Sequence, residues 1–185
     1  MDRLAVVLGL ALALGGCAVT PMPSTAYLPV GAFGGNADND SMAINTAAWA
    51  WANPARTHGN LVNAARAVMA IDYLGGQLTS DPRWTWMSPL TKLDMQRART
   101  EVREAVGIAP DAPSQAVVNA LLLFSRSPTE AMAERVMTPP VFVLPPRQVV
   151  ARLDNLPAIP LASQASNMAS AQQFPGGNQV MFPGS

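Results

Sequence analysis

Proline follows a helix-capping residue at several points along the chain, and this pairing constrains the fold more than any other feature. Proline is tolerated at the first position of a helix, and a Ser or Asp just before it can cap that helix. Such pairs are Asp81-Pro82, Ser88-Pro89 and Ser127-Pro128, and Pro145-Pro146 marks a further start. Ser127 and Glu130 also have the spacing of a capping box. The chain is therefore expected to divide into short helices.

Between these starts, apolar residues recur three and four positions apart, which is the spacing of an amphipathic helix. Helices are predicted over residues 41–52, 58–78, 89–107, 113–124, 127–137, 145–155 and 161–173, with a short turn over 82–86. The extended stretch 141–143 is too short to indicate a sheet. We therefore expect a compact all-α bundle of six or seven helices. Residues 117–124 are apolar on nearly all sides and predict its central helix.

The segments on either side of the predicted helical domain, residues 41–173, show no sustained spacing of apolar residues. Residues 17–40 contain three prolines and several Gly and Asn, and they predict a flexible tether. Fully extended, that tether could reach roughly 70 Å. Residues 174–185 contain Pro and Gly and predict a disordered tail.

The first 17 residues carry the pattern of a targeting signal. The run from Leu4 to Leu14 is almost purely Leu, Val and Ala, which is the length of a signal-peptide core and too short to span a bilayer. Gly15 and Gly16 are the small residues that a signal peptidase needs beside its cut. Leu14-Gly15-Gly16-Cys17 resembles the lipobox of bacterial lipoproteins, in which Leu and small residues precede a modified Cys.

This resemblance implies that residues 1–16 are removed and that Cys17, the only cysteine of the chain, is acylated. Two or three acyl chains hold a protein stably at a bilayer, whereas one chain is marginal. The mature protein would then be anchored in the cell envelope and face the periplasm. Ala18 and Val19 differ from the Asp that retains enteric lipoproteins in the inner membrane, which favours the outer membrane. The region after residue 17 resembles uncharacterised helical lipoproteins of proteobacteria.

Charge and composition narrow the classes of partner and cofactor. Lys and Arg number 12, as do Asp and Glu, so no basic patch supports nucleic-acid binding. Only 13% of the residues are charged, about half the usual share, which predicts a weakly solvated surface suited to partners. His58 is the only histidine, and one His with one acylated Cys cannot form a typical zinc, haem or iron–sulfur site. We predict neither a metal nor a cofactor.

Asp72 lies on the apolar face of its predicted helix, together with Leu61 and Val68. A carboxylate in such a position is costly unless it is paired. The next long helix carries Arg99 and Arg103 four residues apart. We predict a structural ion pair between Asp72 and either Arg99 or Arg103, with a ligand-binding pocket as the alternative.

The motif Trp-x-Trp occurs twice, as Trp49/Trp51 and as Trp84/Trp86. On a helix, residues two apart point in different directions, so one Trp of each pair can enter the core while the other stays near the surface. An exposed Trp is a common anchor of an interface. Trp84, Trp86, Tyr73 and Trp51 are therefore candidates for an interface, or for a pocket between helices that an arginine completes. The alternative is that both pairs close the ends of the bundle.

Two further segments predict close packing. Gly75-Gly76 predicts a helix end or a close helix contact, since no strand precedes it and no Lys follows, as a phosphate loop would require. The stretch 155–160 has polyproline-like character and predicts docking on its own domain or on a partner.

The sequence gives little support to catalysis. Lytic transglycosylases, which are helical periplasmic enzymes that cleave glycan, typically carry Glu-Ser at the catalytic position, and neither Glu101 nor Glu104 is followed by Ser. Two carboxylates three residues apart among arginines indicate a solvated charged face. We expect a non-enzymatic, lipid-anchored envelope protein that binds another protein or an assembly. The alternative is a periplasmic module that binds a small ligand or a glycan.

Overall fold

The computed structural model describes residues 22–35 and 38–174, and seven α-helices lie within these ranges. The helices are α1 (Asn39–Trp51), α2 (Leu61–Ser80), α3 (Pro89–Val106), α4 (Ser114–Arg126), α5 (Glu130–Val136), α6 (Pro146–Asp154) and α7 (Pro160–Ala171). Single 3-10 turns over Pro54–Arg56 and Pro82–Trp84 precede α2 and α3. The same ranges contain no strand, only one antiparallel bridge between Ile108 and Phe142. The prediction of an all-α bundle is confirmed.

The helices begin close to the predicted proline pairs. Ser88 and Asp81 each accept a hydrogen bond from the backbone N–H two residues further on, at 3.3 and 2.8 Å. At the start of α5, however, Thr129 accepts the capping hydrogen bond, at 3.2 Å. Ser127 still belongs to the end of α4, because its N–H donates to a carbonyl of that helix. The prediction of Ser127 as the cap opposite Glu130 is therefore wrong.

The central helix of the bundle is α2. The prediction that residues 117–124, which lie in α4, form the central helix is therefore wrong. Thirteen of the twenty residues of α2 are buried, and α1, α3 and α4 pack around it. Small Ala and Gly side chains let neighbours approach α2 from several sides, although the sequence pattern shows only one apolar face. In α4, Leu123 stays exposed to solvent.

Residues 22–33, which we call the strap, lie against the bundle. Leu28 and Phe33 are buried among the residues of the core. The hydroxyl of Ser24 donates a hydrogen bond to the hydroxyl of Ser114, at the start of α4, over 2.9 Å. In this part the structure differs from the predicted flexible tether, because the apolar side chains of the strap belong to the core of the domain.

Glycine at position 76 permits this packing. A Cβ atom on Gly76 would lie 2.2 Å from the carbonyl oxygen of Ser24, so any larger residue would displace the strap. Gly75 makes the other close contact, since a Cβ atom there would lie 2.9 Å from the side chain of Arg99 in α3. The predicted close packing at the Gly pair is present, and both residues lie inside α2 and not at its end.

The polyproline-like stretch 155–160 docks on its own domain, where Leu156 and Ile159 are buried. The predicted signal peptide, Cys17 and all but the first residue of the predicted tail lie outside the described residues. Among the helices that are described, none combines the length and the apolar character needed to cross a membrane.

Candidate functional site

The ion pair predicted for Asp72 is present, and Arg103 is its partner. Arg103 Nε lies 2.6 Å from one carboxylate oxygen of Asp72, and Nη2 lies 3.0 Å from the other. The two side chains are only 6% and 2% exposed. Such bidentate geometry gives strong, charge-assisted hydrogen bonds. The pair joins the central helix α2 to α3.

The remaining N–H groups of Arg103 bind the segment that leads into α4. Nη1 donates to the carbonyl oxygens of Pro110 and Ala112, each at 2.9 Å, and Nη2 also reaches the hydroxyl of Ser114 at 3.2 Å. A guanidinium has five N–H donors, and these acceptors together with Asp72 occupy all of them. No donor is left for a ligand, so the arrangement supports the structural interpretation of the ion pair.

Arg99, the other predicted partner of Asp72, binds the strap instead. Its Nη1 donates to the carbonyl oxygen of Ser24 at 3.0 Å and to the hydroxyl of Ser114 at 3.2 Å. Burial lowers the pKa of Arg99, and the nearby charge of Asp72 partly opposes this effect. Arg99 therefore ties the strap to α3 and α4, which the sequence does not predict.

A second polar centre lies in the first turn of α1, where Asp40 is buried. The hydroxyl of Tyr73 donates to one carboxylate oxygen of Asp40, and Trp84 Nε1 donates to the other at 2.9 Å. Burial raises the pKa of Tyr73, and its hydrogen bond to Asp40 raises it further, so the phenol stays protonated at neutral pH. Asp40 is not among the residues predicted from the sequence, where its only signal is the Asp-x-Asp pattern that begins at Asp38.

Asp38 and Arg83 form an ion pair at the edge of this centre. Arg83 Nη1 lies 2.7 Å from the carboxylate of Asp38 and 3.6 Å from that of Asp40. The hydrogen bond from Arg83 lowers the pKa of Asp38 to about 2, although partial burial acts in the opposite direction. The side chains of Arg83 and Asp38 are 42% and 43% exposed, so this pair remains in contact with solvent.

These residues line a cleft of about 480 Å³ between the strap and the helices. Its walls include Asp38, Asp40, Tyr73 and Arg83, together with Tyr27 and Val30 of the strap. Of the predicted pocket, Tyr73 and an arginine are present, whereas Trp84 and Trp86 do not line the cleft. Asp38 and Arg83, whose side chains are partly exposed, can hydrogen-bond the hydroxyl groups of a polar small molecule.

The two Trp-x-Trp motifs each place one indole inside and one outside, as predicted. Trp84 is fully buried, and Trp51 is buried with its Nε1 donating to the carbonyl of Ala67 at 3.1 Å. Trp49 and Trp86 are each 46% exposed. Trp51 and Trp84 are therefore not available as interface anchors. Trp49 is exposed enough to act as an interface anchor, although it is not among the candidates predicted from the sequence.

Trp86 lies in the turn that precedes α3 and is exposed. Leu90 and Leu93, three residues apart near the start of α3, are exposed as well. The indole Nε1 of Trp86 donates to the carbonyl of Gln172 at 3.3 Å, which places the end of α7 beside the stripe. Phe174, two residues further along the chain, is also exposed. We call Trp86, Leu90 and Leu93 the α3 stripe.

A second, more apolar cleft of about 410 Å³ lies where α4, α5 and α6 meet. Phe124, Ala133 and Val150 line it, and the ion pair between Glu130 and Arg147 belongs to its rim. No sequence pattern indicates this cleft, because its walls come from segments that each have the pattern of an ordinary amphipathic helix.

The other candidate residues are distributed over the surface. His58 is exposed beside Gly59, and Glu101 and Glu104 are exposed on α3. Within residues 22–35 and 38–174, no group of three or more His, Cys, Asp or Glu side chains is arranged to hold a metal ion. Comparison with known proteins finds no matching family model, no matching characterised sequence and no matching solved structure.

Proposed function

We propose that this chain is a lipid-anchored, non-enzymatic protein of the cell envelope, and that its helical domain binds another envelope protein. The sequence Leu14-Gly15-Gly16-Cys17, at the end of an apolar run, carries the proposal. Acyl chains on Cys17 would hold the domain at the periplasmic surface of a membrane. The residues after Cys17 favour the outer membrane.

The exposed apolar residues support a protein partner. The α3 stripe collects an exposed indole and two exposed leucines within residues 86–93, on a chain of which only 13% of the residues are charged. The cores of interfaces are depleted in charge and enriched in aromatic residues, and Trp is frequent among the residues that dominate binding. Trp86 is the residue that we expect to lie at the centre of the interface.

The anchor is tested by replacing Cys17 with Ser. We expect the unaltered protein to begin at an acylated Cys17 by mass spectrometry and to fractionate with membranes. The variant Cys17→Ser should be neither acylated nor membrane-bound, whereas Thr20→Ser, three residues away, should behave as the unaltered chain does. Membrane association of Cys17→Ser at the normal level would show that the anchor is wrong.

The partner is tested with a photo-crosslinking amino acid placed on two sides of the same helix. A probe at Leu90, in the α3 stripe, should capture one envelope protein in living cells. The matched probe at Glu101, on the charged side of α3, should not capture it. The replacement Trp86→Ala should abolish the crosslink from Leu90 while leaving the melting temperature close to normal. Equal capture from Leu90 and Glu101, or capture from neither, would contradict the proposed interface.

A second candidate function is supported by the cleft that contains Asp38, Tyr73 and Arg83. Its polar walls suit a small ligand or a glycan with several hydroxyl groups. Isothermal titration with soluble fragments of cell-wall glycan is the direct measurement, with Arg83→Ala as the variant that should weaken binding. Arg147→Ala, at the rim of the other cleft, is the matched control. Absence of saturable heat with any fragment would remove this candidate.

A further inference from the structure

The strap turns one side towards the core and the other towards solvent. Leu28 and Phe33 are buried, whereas Met22, Tyr27 and Val30 are 75%, 74% and 76% exposed. No other large apolar side chain in the described ranges is as exposed as these three. Their position within one short segment gives the strap an exposed apolar side.

The strap has a fixed position on the domain. The carbonyl of Ser24 accepts a hydrogen bond from Arg99 and lies against Gly76, which leaves no room for a side chain between them. Further along, the backbone of Tyr27 exchanges two hydrogen bonds with the side chain of Gln115, at 2.7 and 3.1 Å. The exposed side chains are therefore presented by a segment that is held to α2, α3 and α4.

The covalent chain keeps the strap close to Cys17. Ser24 lies seven positions after Cys17, and seven residues can span at most about 25 Å in any conformation. The central helix α2, with 20 residues, is about 30 Å long. If Cys17 carries acyl chains in a bilayer, Ser24 at the start of the strap stays within about 25 Å of the acylated residue, which is less than the length of α2.

The chemistry of the segment also suits a lipid surface. Residues 18–37 contain no Asp, Glu, Lys or Arg. The first charged residue after Cys17 is Asp38, directly before α1. Tyr27 combines an apolar ring with a polar hydroxyl, a combination that favours the boundary between acyl chains and water.

We propose that the strap is the membrane-facing surface of the domain, and that Met22, Tyr27 and Val30 enter the headgroup layer of the bilayer. This inference rests on the proposed acyl anchor at Cys17. It fixes the orientation of the domain, because the strap lies on α2, α3 and α4 near Ser114, whereas α5 follows the opposite end of α4. The surfaces around α5 then face away from the membrane.

The orientation is tested with single fluorescent labels on the acylated protein. Acylation occupies the thiol of Cys17, so a cysteine introduced elsewhere is the only free thiol. The variants Tyr27→Cys and Val30→Cys each carry a nitrobenzoxadiazole label, and Glu134→Cys on α5 carries the same label as the matched control. Each protein is reconstituted in vesicles of phosphatidylethanolamine and phosphatidylglycerol, with and without nitroxide lipids.

We expect the labels at positions 27 and 30 to shift to shorter emission wavelength and to be quenched by nitroxide lipids, and the label at position 134 to show neither change. Adding Val30→Asp to the Tyr27→Cys variant should reduce both effects, and this exposed substitution leaves the core intact.

Different outcomes separate the anchor from the orientation. A protein that does not float with the vesicles overturns the anchor, and the orientation is overturned with it. A protein that floats while all three labels remain unquenched overturns the orientation alone. Shielding of positions 27 and 30 that occurs only when another envelope protein is added would assign the strap to a protein interface and would also overturn the proposal.

Discussion

Two ion pairs of nearly equal length have very different surroundings. Arg103 and Asp72 approach to 2.6 Å with both side chains almost fully buried, and Arg83 and Asp38 approach to 2.7 Å with both about two-fifths exposed. The inner pair is surrounded by further acceptors, whereas the outer pair lies at the edge of an open cleft. Distance alone therefore does not indicate what each pair contributes.

The inner pair holds the fold together, whereas the outer pair is available to bind a ligand. A buried charge that loses its partner cannot regain water, so the inner pair constrains the fold. An exposed pair competes with water and salt at all times and contributes little to stability. The outer pair can therefore exchange its contacts for those of a ligand without loss of the fold, which is why the second candidate function is assigned to its cleft.

The largest effect is expected from Asp72→Ala, which leaves the guanidinium of Arg103 buried without its counter-charge. The free energy of unfolding in urea should fall by about 3–5 kcal/mol. The double variant Asp72→Leu with Arg103→Met should recover a large part of this loss, because neither charge of the inner pair is then left buried without its partner. A loss as small as that of a surface substitution would show that the two pairs are equivalent and that the comparison is wrong.

An intermediate effect is expected at Asp40, which is buried but close to the cleft. Asp40→Ala removes the acceptor of both Tyr73 and Trp84. We expect a loss of about 2 kcal/mol in the free energy of unfolding, since water from the cleft can satisfy part of the lost hydrogen bonding. Asp81→Ala, at the same cleft but half-buried, is the matched control and should cost less. The reverse order would mean that Asp40 is not the anchor of this region.

A smaller effect is expected where the inner network reaches the strap. Arg99→Met keeps the aliphatic stem but removes the hydrogen bonds to Ser24 and Ser114, for a loss of about 1 kcal/mol. The strap should also become sensitive to limited proteolysis, which is followed by mass spectrometry. Arg97→Met, on an exposed side chain two residues away, should change neither property. Unchanged proteolysis in Arg99→Met would show that Arg99 does not hold the strap.

The features that the sequence predicts correctly depend on residues that are close together in the chain. Helix starts at Ser88 and Asp81 depend on residues within two or three positions, so cap and proline patterns locate them. The split of Trp49 and Trp51 follows from helical geometry, whereas Trp84 and Trp86 divide in the same way on a 3-10 turn and the turn after it. The need of Asp72 for a cation follows from its position on an apolar face alone.

The other contacts of the site depend on how the helices pack together, which the spacing of residues in the sequence does not determine. Arg99 and Arg103 lie on the same face of α3. Only the position of each along α2 determines that Arg103 binds Asp72 and that Arg99 binds the strap. Asp40 binds Tyr73 and Trp84, which are 33 and 44 residues away in sequence, so no local pattern indicates that centre. The strap lacks any period, and its position depends on a glycine in another element.

The smallest effect on the free energy of unfolding is expected at the outer ion pair, between Asp38 and Arg83, and this effect depends on pH. The pKa of Asp38 is about 2 in the folded protein, below its ordinary value of 3.8, so the ionised carboxylate stabilises the fold. That contribution is complete above about pH 4 and is lost as the pH falls towards 2. Because both side chains are partly exposed, we expect it to be less than about 1 kcal/mol and to shrink further in high salt.

Asp38→Asn isolates this contribution, because Asn also caps helices well and so preserves the start of α1. The difference in free energy of unfolding between the two proteins should be constant above pH 4 and should narrow between pH 4 and 2, which chemical denaturation at each pH measures. A difference of several kcal/mol that salt does not reduce would place the outer pair in the same class as the pair of Asp72 and Arg103. The cleft would then be part of the structural core, and Arg83 would not be free to bind a ligand.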